Sequence, residues 1–149
     1  MVYYFFGNKE GLFSASVLTG PDHPLHHLAA LLDEGREDIG ARLVRRILER
    51  WDHGSHFEPL MTLWRSAAIQ PQARKVLHEA LAGPMAQRVA GEFGVADAEL
   101  RVELVASHLM GLAFARYQLK IEPMASASVE KLVSMTGPTM QRYLTEPLV

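Results

Sequence analysis

Apolar residues recur at spacings of three and four along almost the whole chain, and no segment shows the strict alternation of a half-buried strand. Asn8 is placed to cap a helix over Lys9 to Leu18, with Leu12, Phe13 and Val17 on its apolar side. Thr19-Gly20-Pro21-Asp22 ends it, and Pro24 suits the first position of a short helix to Asp33 that buries Leu25, Leu28, Ala29 and Leu32. From Glu37 to Trp51, Ile39, Leu43, Ile47 and Trp51 fall four apart, with Arg42, Arg45, Arg46, Glu49 and Arg50 around the other side. This is the pattern of a surface helix, with the arginines as a solvated face.

The segment Glu58 to Ile69 differs. Leu60, Met61, Leu63, Trp64, Ala67, Ala68 and Ile69 cover most of its circumference, which predicts a central helix packed on nearly all sides. A helix from Gln72 to Phe93 follows, bent at Gly83-Pro84. Asp97 is placed to cap the longest helix, Ala98 to Lys120, which Pro123 stops. Ser126 or Ser128 starts a last helix to Leu144, with a kink expected at Gly137-Pro138. The pattern predicts an all-α multi-helix bundle of about seven helices joined by short loops.

Composition narrows the function classes. The chain has 149 residues, 48% hydrophobic, enough for one domain with a real core, and a formal net charge of −2. A domain gripping nucleic acid with its whole surface would be basic, so DNA contact is expected to be local or to lie in residues not present here. Cysteine is absent, which excludes disulfides and thiolate metal sites and fits a reducing cytoplasm. No apolar run approaches the roughly 18 residues of a membrane span. The opening Tyr3-Tyr4-Phe5-Phe6 is not a signal peptide, and four adjacent aromatics belong against something.

The segment Val2-Tyr3-Tyr4-Phe5-Phe6-Gly7-Asn8-Lys9-Glu10-Gly11-Leu12-Phe13 resembles the TetR-family (tetracycline-repressor-like) signature, where the recognition helix of a helix-turn-helix ends and the next helix starts. Tyr3 takes the tyrosine place, Phe6 the phenylalanine, Lys9-Glu10 the Lys-Glu pair and Leu12 the leucine; Phe5 stands where the family usually has His. The resemblance implies phosphate contacts for Tyr3, Tyr4 and Lys9. Lys9 lies in the first turn of a helix, where its charge adds to the positive end of the dipole. It also implies a division into a remnant of the recognition helix plus linker helix (1–18) and a TetR-like ligand-binding and dimerisation domain (19–149). The family carries roughly 40 residues before Tyr3, so most of the reader is expected to be absent. Leu109-Met110-Gly111-Leu112-Ala113-Phe114-Ala115-Arg116-Tyr117 resembles the penultimate helix of one sub-branch.

The long helix shows two stripes. Ser107, Gly111 and Ala115 are small and are bordered by Leu104 and His108; Met110, Phe114 and Tyr117 are bulky. In the family the last two helices pair with their copies across a two-fold axis. The resemblance therefore assigns Leu104, Ser107, His108, Gly111 and Ala115, with Leu132, Met140 and Tyr143, to a homodimer contact. The alternative is packing within one chain. The bulky stripe is expected to face inward onto a pocket for an unknown small apolar ligand, with Phe57, Met61, Trp64, Arg65, His78, Met85, Met110, Phe114 and Tyr117 as candidate lining. Arg65 is the sharpest candidate, because an arginine on a mostly apolar helix needs a partner, a ligand or a buried carboxylate.

Other signals carry less. His23, His26 and His27 lack the further ligands that a metal site needs. Ser107 and His108 are adjacent, about 100° apart on a helix, and do not form a nucleophile–base pair. No phosphate loop, paired-carboxylate site or His-Glu-x-x-His motif occurs, so neither an enzyme nor a cofactor is expected. The resulting expectation is a dimeric, ligand-responsive cytoplasmic transcriptional regulator, a repressor, with operator DNA a partner of the full-length protein only. The alternative is a free-standing helical binding or dimerisation module. Base-edge readout needs the absent part of the reader. A fluorescence-anisotropy titration of the 149 residues is thus expected to show no sequence preference; tight, specific operator binding would overturn the remnant assignment.

Overall fold

The computed structural model describes residues 24–53 and 57–147. Tyr3, Tyr4, Lys9 and the helix expected at 9–18 lie outside them. Among the described residues there are seven α-helices, one π segment and no strand.

Helix α1, Pro24–Glu34, buries Leu28, Leu31 and Leu32. Gly35, at φ 121°, turns the chain, and Asp38 enters the next helix from the left-handed region, which Asp tolerates because its short polar side chain bonds locally. Helix α2, Ile39–Trp51, begins two residues later than its pattern predicted. It buries the apolar stripe Ile39, Leu43, Val44, Ile47, Leu48 and Trp51. Its arginine face is not merely solvated. Arg45 grips Glu130 through two hydrogen bonds of 2.8 and 2.9 Å, Arg46 pairs with Glu34 at 2.9 Å, and Arg42 donates to the carbonyls of Gly35 and Glu37.

Helix α3, Glu58–Ile69, is less central than its circumference suggested. Leu60, Met61, Leu63 and Ala67 are buried, but Ala68 is exposed and Ile69 is 76% exposed. One flank of this helix faces an opening rather than a neighbour. The expected bent helix over Gln72 to Phe93 is two helices, α4 (Pro71–Ala82) and α5 (Pro84–Phe93). Gly83, at φ −90° and ψ −130°, leaves the helical region, and Pro84 lacks the N–H that would continue the ladder.

Helix α6, Ala98–Ala113, has Asp97 at its N-cap position, but the left-handed Asp97 caps with its carbonyl only; Arg101 N donates to it at 2.9 Å. The last turns expected to be α-helical are a π segment, Phe114–Gln118, closed by Leu119 N donating to the Phe114 carbonyl at 2.9 Å. A loop containing the cis Glu122-Pro123 peptide leads to helix α7, Val129–Thr145. Of the two candidate serines, Ser128 caps it, accepting from Lys131 N at 3.1 Å. The helix runs through Pro138 without interruption.

The most extensive helix pairing joins α2 to α7. A Cβ on Gly40 would lie 2.4 Å from both Gln141 N and the Gly137 carbonyl oxygen; one on Gly137 would meet Ala41 at 3.0–3.3 Å. The Gly40 N–H, one of the first-turn donors that a helix leaves without an internal partner, donates to Gln141 Oε1 at 2.8 Å. At the far end, the buried Arg101 ties α6 to α7 by donating to the carbonyls of Ala96 and Tyr143 at 2.6 and 2.7 Å.

Gly40→Ala is expected to lower the unfolding free energy in urea by roughly 2–3 kcal/mol, because overpacking against backbone exceeds the gain of up to about 1 kcal/mol in helix propensity. Gly91, helical and with open space around an added Cβ, gives the opposite sign: Gly91→Ala is expected to stabilise by up to about 1 kcal/mol. Equal responses at the two sites would refute the close-approach assignment.

Candidate functional site: an aromatic cluster, a polar latch and an apolar groove

The end of α2, the start of α3 and the π segment converge on four rings. Trp51 lies 5.4 Å from Phe57 and 6.3 Å from both Trp64 and Tyr117; Phe57 lies 5.2 Å from Tyr117 and 5.8 Å from Trp64. These tilted and edge-to-face arrangements place ring edges against ring faces, the favourable quadrupole geometry.

Beside the rings sits a polar latch. The buried Arg116 donates to both carboxylate oxygens of Asp52, at 3.2 and 3.1 Å, and through its remaining terminal nitrogen to the carbonyls of Met124 and Ala127, at 2.8 and 2.9 Å. The Tyr117 hydroxyl donates to the same carboxylate. A π turn makes this geometry available: the extra residue per turn swings Arg116 and Tyr117, adjacent in sequence, onto one acceptor. Burial alone would push the Asp52 carboxyl up, but the hydrogen bonds from Arg116 and Tyr117 and the guanidinium charge outweigh it and hold the carboxyl below its ordinary range. Burial and the bond to Asp52 push the Tyr117 phenol well above its ordinary value, so it remains a donor. For Arg116, burial is outweighed by the carboxylate and the guanidinium is held more firmly protonated. Trp51, Asp52, Phe57, Glu58, Arg116, Tyr117 and Ala125 surround a cavity of about 390 Å³ here.

Trp64 links the cluster to a groove of about 350 Å³ between α3 and α6, lined by Met61, Trp64, Arg65, Ala68, Ser107, Met110, Gly111 and Phe114. Five of the nine candidate pocket residues, Met61, Trp64, Arg65, Met110 and Phe114, meet in it. Phe57 and Tyr117 stand behind, in the ring cluster. His78 is exposed on α4 and Met85 packs half-buried against the core; neither lines the groove. Arg65 has no buried carboxylate to meet, because its side chain is exposed.

The two stripes of α6 do not face different partners as their separation suggested. Ser107 and Gly111 line the same groove as Met110 and Phe114. Of the expected dimer residues, Met140 is fully buried and Leu132 is 8% exposed, so both are core residues of the single chain. Leu104, His108, Ala115 and Tyr143 remain half-buried, with His108 and Tyr143 in ring contact at 6.1 Å. Burial lowers the His108 pKa below its ordinary value. Asp52 and Arg116 were not among the expected site residues. The available signal was an arginine within the apolar run Leu109 to Tyr117, a charge that burial would force to find a partner.

Among the described residues no cluster of three His, Cys, Asp or Glu side chains forms, and no helix is long and apolar enough to cross a membrane. The architecture defines an all-helical domain with an apolar groove along its penultimate helix. Residues 37–144 match the family described as "Tetracyclin repressor-like, C-terminal domain", and the chain belongs to that family. It is also similar to the crystal structure of a TetR-family regulator from Streptomyces coelicolor A3, with a TM-score of 0.56 and 28% identity over 96% of this chain and 74% of that one. No curated protein matches the chain. The chain is accordingly a domain of the transcriptional-regulator kind.

Asp52→Ala leaves Arg116 buried against carbonyls only, and is expected to lower the unfolding free energy by roughly 1–3 kcal/mol near neutral pH. Because the folded carboxyl has a depressed pKa, its contribution is present above the unfolded value of about 3.9 and is lost as pH falls through the folded value. The stability gap between wild type and variant, read by urea unfolding, should narrow below about pH 4. A gap that stays constant on acidification would refute the latch.

Proposed function

We propose that the chain is the ligand-sensing and dimer-forming body of a transcriptional repressor. The observation that carries this reading is the apolar groove between α3 and α6, a concave site of the size that small-molecule pockets occupy, built on adaptable methionines and an aromatic wall. A ligand that fits one spacing of α3 and α6 better than another shifts the population toward that spacing. The π segment that ends α6 is locked to the end of α2 through Asp52, so the shift reaches the helices that pack on α2. The aromatic and Lys-Glu residues between Val2 and Phe13 support a DNA reader joined to this body, and coupling between ligand and operator follows only if the two prefer different arrangements.

Dimerisation is assigned to the outer side of α6 and α7. Leu100 is 51% and Met135 67% exposed, and the half-buried Leu104, His108 and Tyr143 lie on the same two helices. Burying an apolar side chain of this kind contributes about 1.5–3 kcal/mol. With four such residues per two-fold contact, the double variant Leu100→Glu with Met135→Glu is expected to weaken self-association by at least about a hundredfold in sedimentation equilibrium. Both residues are exposed in the single chain, so its fold should survive. A wild type that stays monomeric at high concentration, or a variant that dimerises as well, would overturn the assignment.

A further inference from the structure

We propose that the groove between α3 and α6 takes an amphipathic anion, a small apolar body with one carboxylate-type head, and that Arg65 binds the head. The proposal rests on the ligand-groove reading and narrows it to a chemical class.

The walls, Met61, Trp64 and Ala68 on one side and Met110, Gly111 and Phe114 on the other, carry no charge, and their one polar side-chain group is the neutral indole N–H of Trp64. The other polar side chains of the lining are Arg65 and Ser107, and the Ser107 hydroxyl already donates to the Leu104 carbonyl at 3.0 Å. That leaves a guanidinium as the groove's charged donor. No carboxylate lines the groove, so an organic cation would find repulsion and no counter-charge. A polar, sugar-like guest would leave most of its hydroxyls facing hydrocarbon.

Among the described residues Arg65, Arg74 and Arg142 carry no side-chain hydrogen bond or ion pair, and of these only Arg65 lines the groove. Arg42, Arg45, Arg46, Arg88, Arg101 and Arg116 are each held by carboxylates or carbonyls. Among the described residues no carboxylate pairs with Arg65, although it borders the groove. Its aliphatic stem extends an apolar wall while its head stays in water, positioned to meet an anionic end as the tail enters. Burial of the tail supplies most of the affinity; the rim charge sets orientation and class.

The test titrates the tryptophan emission of the 149-residue chain with decanoate, decanol and decyltrimethylammonium, below their aggregation thresholds. Trp64, in the groove wall, reports the bound tail. Decanoate is expected to bind roughly fivefold more tightly than decanol, an advantage that added salt erodes, and the ammonium more weakly than either. In Arg65→Gln the decanoate affinity should fall to the decanol value, whereas Arg74→Gln, an exposed arginine on α4, should keep the preference. Equal binding of decanoate and decanol in wild type, or a preference that survives Arg65→Gln, overturns the anion proposal and leaves the apolar groove standing. Absence of binding by all three probes, or binding that persists in Gly111→Phe, overturns the groove reading itself. An added Cβ at Gly111 meets open space, so the bulky ring fills the groove without disturbing the helix. If no probe binds and Gly111→Phe instead weakens self-association, the groove belongs to a second copy of the chain.

Discussion

Helices α2 and α7 meet backbone to backbone. At Gly40 there is no room for a Cβ, at Gly137 the fit is tight, and the Gln141 amide fills the first-turn hydrogen-bonding deficit of α2. Much else is positioned from that contact. The far end of α2 carries Trp51 and Asp52, the anchors of the ring cluster and of the latch. The near end of α7 follows the loop that Arg116 holds through Met124 and Ala127. A shift of α2 against α7 would move both halves of the latch at once, which explains why two residues distant in sequence, Asp52 and Arg116, can meet with bidentate geometry.

Charge is used in two ways in this domain. On the outside of α2, arginines pair with Glu34 and Glu130 in water, where each pair contributes little. In the interior, Arg101 and Arg116 satisfy carbonyls at the end of a helix and in an irregular loop, groups that would otherwise be costly to bury. These buried guanidiniums fix geometry: one ties the start of α6 to the end of α7, the other ties the end of α6 to the end of α2. Helix α6 is therefore held firmly at both ends while its middle borders the groove. Such a helix transmits a change in the groove to its fixed ends better than a helix free to slide.

The repeating apolar pattern determined the helices, because a 3.6-residue period depends only on neighbours along the chain. The core stripe of α2, a serine start for the last helix, the Pro24 start and the broad assignment to a helical regulator domain were legible in the sequence, the last through the resemblance at residues 2–13. The fold alone decided the rest, because each remaining feature depends on a partner distant in sequence. Helix α3 has an apolar circumference, yet one flank faces a groove, since nothing in its own residues states how many neighbours arrive. Ser107 and Gly111 share a groove with Met110 and Phe114 because α3 lies where both stripes reach it. Met140 reads like any apolar residue of a last helix, and only the close approach at Gly40 sends it into the core. Asp52 and Arg116 are unremarkable until a π turn, itself a product of packing, aims one at the other. Local periodicity sets which elements form; the distances between them, and so the site, are set by contacts that no single segment contains.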